Sequence, residues 1–249
     1  MASGLKIEER DGVRVLRMQF GRANAMNTRM LDELAAALSA GDPQPTVLTG
    51  EGKIFCAGLD LVELDALDRD DFEAFLTRFS RTMVQVLTTP FPLVAAVNGH
   101  AVAGGCVLAL ACDYRVGTKG EFKIGMNELA IGVTLPAAGL EIPRGALTPA
   151  ALRRVALNAE LMDPQTALDI GVLDELAPDA ETAIERACEL ARSLGQYGDV
   201  FTTVKGSIVG PIAHRIKDHR VAFDHRFVES WFSEGARNAR EEALAKLKK

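Results

Sequence analysis

The chain contains no apolar run approaching 18 residues, so no segment of it reads as a bilayer-spanning helix. Its four cysteines, Cys56, Cys106, Cys112 and Cys188, show no C-x-x-C spacing, and no histidine lies at zinc-ligand spacing from them. Small apolar neighbours make them buried, reduced thiols, and no metal is expected. There is no basic stripe: 28 Lys and Arg against 34 Asp and Glu leave a charge of −6, which speaks against nucleic acid as a partner. Neither G-x-x-x-x-G-K-[ST] nor a helix-opening G-x-G-x-x-G is present, so nucleotide hydrolysis and dinucleotide binding lack support. A G-x-S-x-G elbow is also missing. The opening stretch has no apolar h-region and no Arg-rich presequence, which gives a cytoplasmic protein as the expectation.

What is present suffices for a large core. Of 249 residues, 48% are hydrophobic, and they are patterned. Val13–Phe20 reads as the first strand, Pro45–Leu48 as a short apolar one and Phe91–Val97 as a buried one. Asn27 or Thr28 caps a helix carrying Met30, Leu31, Leu34 and Leu38 on one face, and residues 70–88 repeat Phe72, Phe75, Leu76, Phe79 and Met83 at helical spacing. Cys106–Cys112 is apolar on every side and reads as a core helix. Thr148-Pro149 and Asp163-Pro164 pair a capping side chain with proline at the first helical position. From about Glu181 the pattern is helical, with a break expected near Gly206–Pro211. The class is α/β, with a core over residues 1–190 and a helical region over 191–249.

Two segments repeat one another. Strand Thr46–Thr49 leads to Ala57-Gly58, and strand Leu93–Val97 leads to Ala103-Gly104-Gly105. Small residues let a ligand approach backbone N–H groups, and two such loops facing each other would form an oxyanion hole. Gly-rich turns after strands also serve packing alone. Glu128 is the only acidic residue between Glu121 and Glu141, among largely apolar neighbours. Burial there would raise its pKa toward that of a general base at neutral pH. The alternative is a turn glutamate facing water.

Taken together, Phe55-Cys-Ala-Gly-Leu-Asp-Leu61, Asn98-Gly-His-Ala-Val-Ala-Gly-Gly-Cys106 and Cys112-Asp-Tyr-Arg115 resemble the crotonase, or enoyl-CoA hydratase/isomerase, superfamily, with likeness over essentially the whole chain. The resemblance implies a spiral of ββα repeats with C-terminal helices that support a homotrimer or a dimer of trimers. It implies an acyl-CoA thioester substrate with no cofactor beyond the CoA it carries, and a place in fatty acid metabolism. The enolate would be held by the N–H groups of Leu59 and Gly104, the second at the positive end of the core helix. Ala25, Met26, Ala57, Gly58, Asp60, Leu61, Val107 and Asn127 fall at substrate-binding positions, and Asp60 is expected to order its turn. His100 occupies a position where the family tolerates several residue types.

The hydratase branch positions water with two glutamates. This chain keeps the second as Glu128 and has Val107 at the first. That pattern resembles the Δ3,Δ2-enoyl-CoA isomerase branch, which works with one glutamate as the base that moves a proton from C2 to C4. The rival readings are a hydratase of the same family and a catalytically silent acyl-CoA-binding protein. Arg22, Lys53 and the C-terminal lysines are candidates for holding the CoA phosphates. Asp113 is expected to be structural, and His214, His219 and His225 to face solvent. Trp231 and the late phenylalanines are expected to serve packing before lining an acyl pocket.

Overall fold

The computed structural model describes residues 4–247. Ten strands form two sheets. In the larger, β1 (Gly4–Arg10) pairs antiparallel with β2 (Val13–Gln19); β3 (Thr46–Gly50), β5 (Leu93–Val97), β7 (Tyr114–Thr118) and β10 (Glu175–Ala177) follow in parallel. In the smaller, β4 (Ile54–Cys56), β6 (His100–Val102) and β8 (Ile124–Gly125) run parallel, and β9 (Leu161–Met162) closes antiparallel onto β8.

Each successive pair, β3–β4, β5–β6 and β7–β8, places its first strand in the large sheet and its second in the small one, then leads to a helix. This is the expected spiral of ββα turns. The helices are α1 (Thr28–Ser39), α2 (Leu61–Asp65), α3 (Arg69–Leu87), α4 (Gly104–Leu110), α5 (Ala137–Ala146), α6 (Pro149–Leu152), α7 (Pro164–Asp169), α8 (Ala180–Gly195), α9 (Gly198–Trp231) and α10 (Glu234–Leu247). Among the described residues none is long and apolar enough to cross a membrane.

Alternation in the strands explains the layers, because successive side chains point to opposite faces. Val13, Val15, Val47, Val94, Ala96 and Val116 face one side, where Ala183, Ile184, Ala187, Cys188 and Ala191 of α8 cover them. Leu16, Met18, Leu48, Leu93, Ala95 and Val97 face the other, joining the main core with α1, α3 and α4. The expected boundary at residue 191 therefore falls inside α8, a helix that belongs to the sheet. The departing helical region starts at Gly198.

Three further differences from the expectations have physical reasons. Strand β1 precedes the first expected strand; its register with β2 pairs Leu5 with Met18 and Ile7 with Leu16, and its own charges hide the pattern. Helix α9 runs unbroken through Gly206, Gly210 and Pro211, because Lys205, Ile212 and Ile216 are buried and tertiary packing outweighs local propensity. His219 does not simply face solvent: its Nδ1 lies 2.9 Å from the fully buried Glu141, which also accepts from Arg215 at 2.9 Å. All four cysteines are free and buried, and burial pushes the Cys56, Cys106 and Cys112 thiols up to about 12.

Candidate active site

The C-terminal ends of the parallel strands β4, β6 and β8 lie side by side, and each delivers one piece of the site. Beyond β4 come Ala57, Gly58 and Leu59; beyond β6, Ala103 and Gly104; beyond β8, Met126, Asn127 and Glu128. Backbone bonds lock the three together. Met26 donates to the Gly58 carbonyl at 2.7 Å and accepts from Asp60 N–H at 3.0 Å. A strand alternates its hydrogen-bonding edge at each residue. The Leu59 N–H therefore points away from Met26.

Asp60 then caps α2, accepting from Val62 and Glu63 N–H at 3.0 and 3.3 Å, so its carboxylate is committed to that turn. Ala103 donates to the Gly125 carbonyl at 2.8 Å and its own carbonyl accepts from Cys106 and Val107. These bonds hold Ala103 at φ +52°, a conformation that an alanine adopts only under strain of order 1–3 kcal/mol. The strain turns the chain so that Gly104 opens α4. Neither the Leu59 N–H nor the Gly104 N–H donates to a protein acceptor among the described residues.

Two glycines make the approach of these loops possible. Gly58 has φ +90°, and a Cβ there would stand 2.9 Å from the Ala103 Cβ and 3.1 Å from the Gly104 nitrogen. A Cβ on Gly105 would stand 2.0 Å from the Cys56 carbonyl oxygen, so only glycine lets α4 press onto the end of β4.

A cavity of about 170 Å³ lies between the loops. Of the residues expected at the site, Ala57, Leu59, Leu61, Gly104, Val107, Asn127 and Glu128 line it. Gly58 and Met26 pack directly behind the Leu59–Gly104 junction, with the Met26 methyl 3.7 Å from where a Gly104 Cβ would be. Ala25 is half-buried in the turn before Met26, outside the lining. His100 is also outside it: its Nδ1 accepts from Lys123 N–H at 2.9 Å.

Glu128 opens a single 3₁₀ turn, Glu128–Ile131, ended by Gly132 in the left-handed region. Its Oε2 is buried without a hydrogen-bond partner. Burial pushes its pKa up to about 7, opposed only by a bond to its own backbone. Among the described residues it is the only titratable side chain lining the cavity. The methyl groups of Val107, 1% exposed, occupy the wall where a second carboxylate could have stood.

Aromatic side chains from two helices distant in sequence also line the cavity. With Val102, Ala103, Ile131, Pro136 and Gly139, the lining includes Phe79, Phe227 and Trp231. Their periodicity had marked the first as core, and nothing local signals that a helix some 150 residues later returns to meet it. Arg22 and Lys53 are exposed, on loops tied together by Ala57 N–H to the Ala23 carbonyl. The remaining candidates for phosphate contact, the side chains of Lys246, Lys248 and Lys249, lie outside the described residues.

Comparison with known proteins bears on the same site. A family model described as enoyl-CoA hydratase/isomerase matches residues 8–247. The chain is 32% identical over 190 residues to a probable enoyl-CoA hydratase of Bacillus subtilis, covering 74% of this chain and 73% of that one. It is 28% identical over 200 residues to the peroxisomal enoyl-CoA delta isomerase 1 of Arabidopsis thaliana, covering 77% and 82%. The crystal structure of human mitochondrial delta3-delta2-enoyl-CoA isomerase superposes with a TM-score of 0.89 over 98% of both chains; at 24% identity this likeness concerns the fold.

Proposed function

The chain belongs to the enoyl-CoA hydratase/isomerase family, and within it we propose that this member shifts the double bond of a 3-enoyl-CoA to the 2-trans position, using Glu128 as its one base. The observation that carries this reading is the solitary carboxyl group: Glu128 alone can exchange a proton inside the cavity, and Val107 faces it in place of a second acid.

The chemistry follows from the arrangement. The thioester oxygen accepts the N–H groups of Leu59 and Gly104. Glu128 removes a proton from C2; the C–H electrons form a C1–C2 double bond and the charge moves onto oxygen, giving a dienolate conjugated with C3=C4. Collapse of the enolate then takes electrons from C3=C4 onto a proton at C4, delivered by the same carboxyl group. The carbonyl re-forms, C2=C3 remains, and Glu128 is regenerated. One proton is moved and none is consumed.

Each feature has an energetic part. Donors fixed in a dry site are worth about 2.7–4 kcal/mol of barrier apiece. A carboxyl group with pKa near 7 is a better base than a solvated one, and its acid form still returns the proton readily. Asn127 and the apolar wall give the cavity no second group to activate water, which favours isomerisation over hydration. An exposed apolar row, Tyr197 just before α9 and Val200, Val204 and Ile208 on it, supports association of copies through this region, as in a trimer.

The test is a coupled assay on trans-3-hexenoyl-CoA, reading conjugated 2-enoyl product, with Glu128→Gln in parallel and crotonyl-CoA as a hydration control. Turnover abolished by the substitution, with crotonyl-CoA unhydrated, supports the one-base isomerase. Hydration of crotonyl-CoA would move the reading to the hydratase alternative. Binding without any turnover would leave the silent carrier.

A further inference from the structure

The cavity is lined by Glu128 on its loop and by the aromatic rings of Phe79 on α3 and of Phe227 and Trp231 on α9. Phe79, Phe227 and Trp231 are each 2% exposed or less, so the polar pantetheine arm of a CoA thioester cannot leave that way. The apolar aromatic side is the one suited to the acyl tail. A space of about 170 Å³ is comparable with an apolar cavity of about 150 Å³ that takes a benzene ring, so it holds a short acyl chain.

Trp231 is held in this wall from behind. Its ring lies 4.8 Å from Phe72 and the Arg240 guanidinium sits 4.1 Å over its face. Arg240, 3% exposed, also donates to the Trp231 carbonyl at 2.6 Å and to Asp65 at 3.2 Å. A buried guanidinium is retained only when paired, and these partners fix both the ring and the backbone of one residue. Asp65 ends α2, the helix that begins just after Leu59, so the same arginine ties the aromatic wall to the donor loop.

Resting on the acyl-thioester reading above, we propose that Trp231 is the specificity-determining residue that limits acyl length, and that Arg240 is the positioning residue that keeps its ring across the end of the cavity. Removing the indole opens the wall toward the space between α3 and α9, and longer tails then bury their methylenes there.

Calorimetric binding of butanoyl-, hexanoyl- and decanoyl-CoA to the full chain tests this without relying on turnover. The wild type is expected to prefer the shorter esters. Trp231→Ala should shift the decanoyl-to-butanoyl affinity ratio toward decanoyl by at least about tenfold, the discrimination a hydrophobic pocket gives for one methylene. Trp231→Phe keeps an aromatic ring in the core and should shift the ratio by a smaller factor, so it carries the test even if the alanine variant fails to fold. Arg240→Lys keeps the charge toward Asp65 but loses the flat stack. It should move the ratio in the same direction, whereas an arginine that only stabilises the fold would change the melting temperature and leave the ratio alone. Folded Trp231 variants with the wild-type ratio would overturn the inference by itself. A wild type that binds none of the three esters would overturn the acyl-thioester reading, and this inference with it.

Discussion

Lys205 on α9 donates its ammonium to the Asp113 carboxylate at 2.8 Å, behind the C-terminal end of α4, with both side chains withdrawn from solvent. Thr89 and the Phe91 carbonyl share the same ammonium, and Asp113 accepts the Leu93 N–H at 2.8 Å. The pair thus joins the long helix to the strand and helix that carry Gly104. Burial raises the Asp113 pKa despite its partner, so the charge there depends on the lysine.

Lys205→Met should therefore cost about 3–5 kcal/mol, because it leaves an uncompensated buried carboxylate. Urea unfolding would measure it. Adding Asp113→Asn should restore a large part of the loss, and a double variant no more stable than the single one would contradict the account.

A second prediction concerns pH and rate. Glu128 must be ionised to accept the C2 proton, and its pKa is about 7. The kcat/KM for a 3-enoyl-CoA should rise through neutral pH and level off about a unit above it, reporting the free enzyme. A profile already flat from pH 5 upward would assign the proton transfer elsewhere.

The same shift has a stability consequence of definite sign. A pKa raised from 4.5 to about 7 in the folded state means that the native protein binds more protons than the unfolded chain between those values, so stability falls as pH rises across that window. The wild type should lose up to about 3 kcal/mol from this group on going from pH 4.5 to 8. Glu128→Gln should remove that part of the pH dependence and be the more stable protein at pH 8. Thermal melts of both at three pH values would show it.

Gly58 and Gly104 should respond oppositely to one added methyl group. At Gly58 a Cβ meets the Ala103 Cβ at 2.9 Å with φ at +90°; at Gly104 the nearest atoms are 3.6 Å away or more, and φ is ordinary. Gly58→Ala should displace the donor loop and lower kcat by about 10²–10³, as removing one oxyanion donor does. Gly104→Ala should keep the wild-type melting temperature within a few degrees. Circular dichroism melts with the isomerase assay separate the two effects.

How much of this was legible in the sequence depended on distance along the chain. The three loops could be read because each is a contiguous string, Phe55–Leu61, Asn98–Cys106 and Gly125–Glu128, whose residue types stand together in the sequence. The strands that aim them could not: β4, β6 and β8 have two or three residues each, too few for any periodicity to register. Val107 spoke through its type alone, an aliphatic side chain where a second acid would stand. Trp231 reads first as a packing residue, and Arg240 gives no signal of its own. Their importance arises where α9 and α10 return to residues more than 150 positions earlier, and the sequence nearby looks like ordinary amphipathic helix. The unbroken α9 was hidden by Gly206, Gly210 and Pro211, whose local cost is overcome by burial of Ile212 and Ile216.

Synthesis order gives the Arg240 clamp another meaning. Chains emerge from the ribosome N-terminus first at roughly 5–20 residues per second, and Leu59 precedes Arg240 by 181 positions. The Leu59 loop and Glu128 are thus both synthesised on the order of ten seconds before Arg240 can reach Trp231. Until then Trp231 lacks the guanidinium that stacks on its ring and bonds its carbonyl. The order of synthesis thus separates the catalytic loops from the residue that fixes the Trp231 ring.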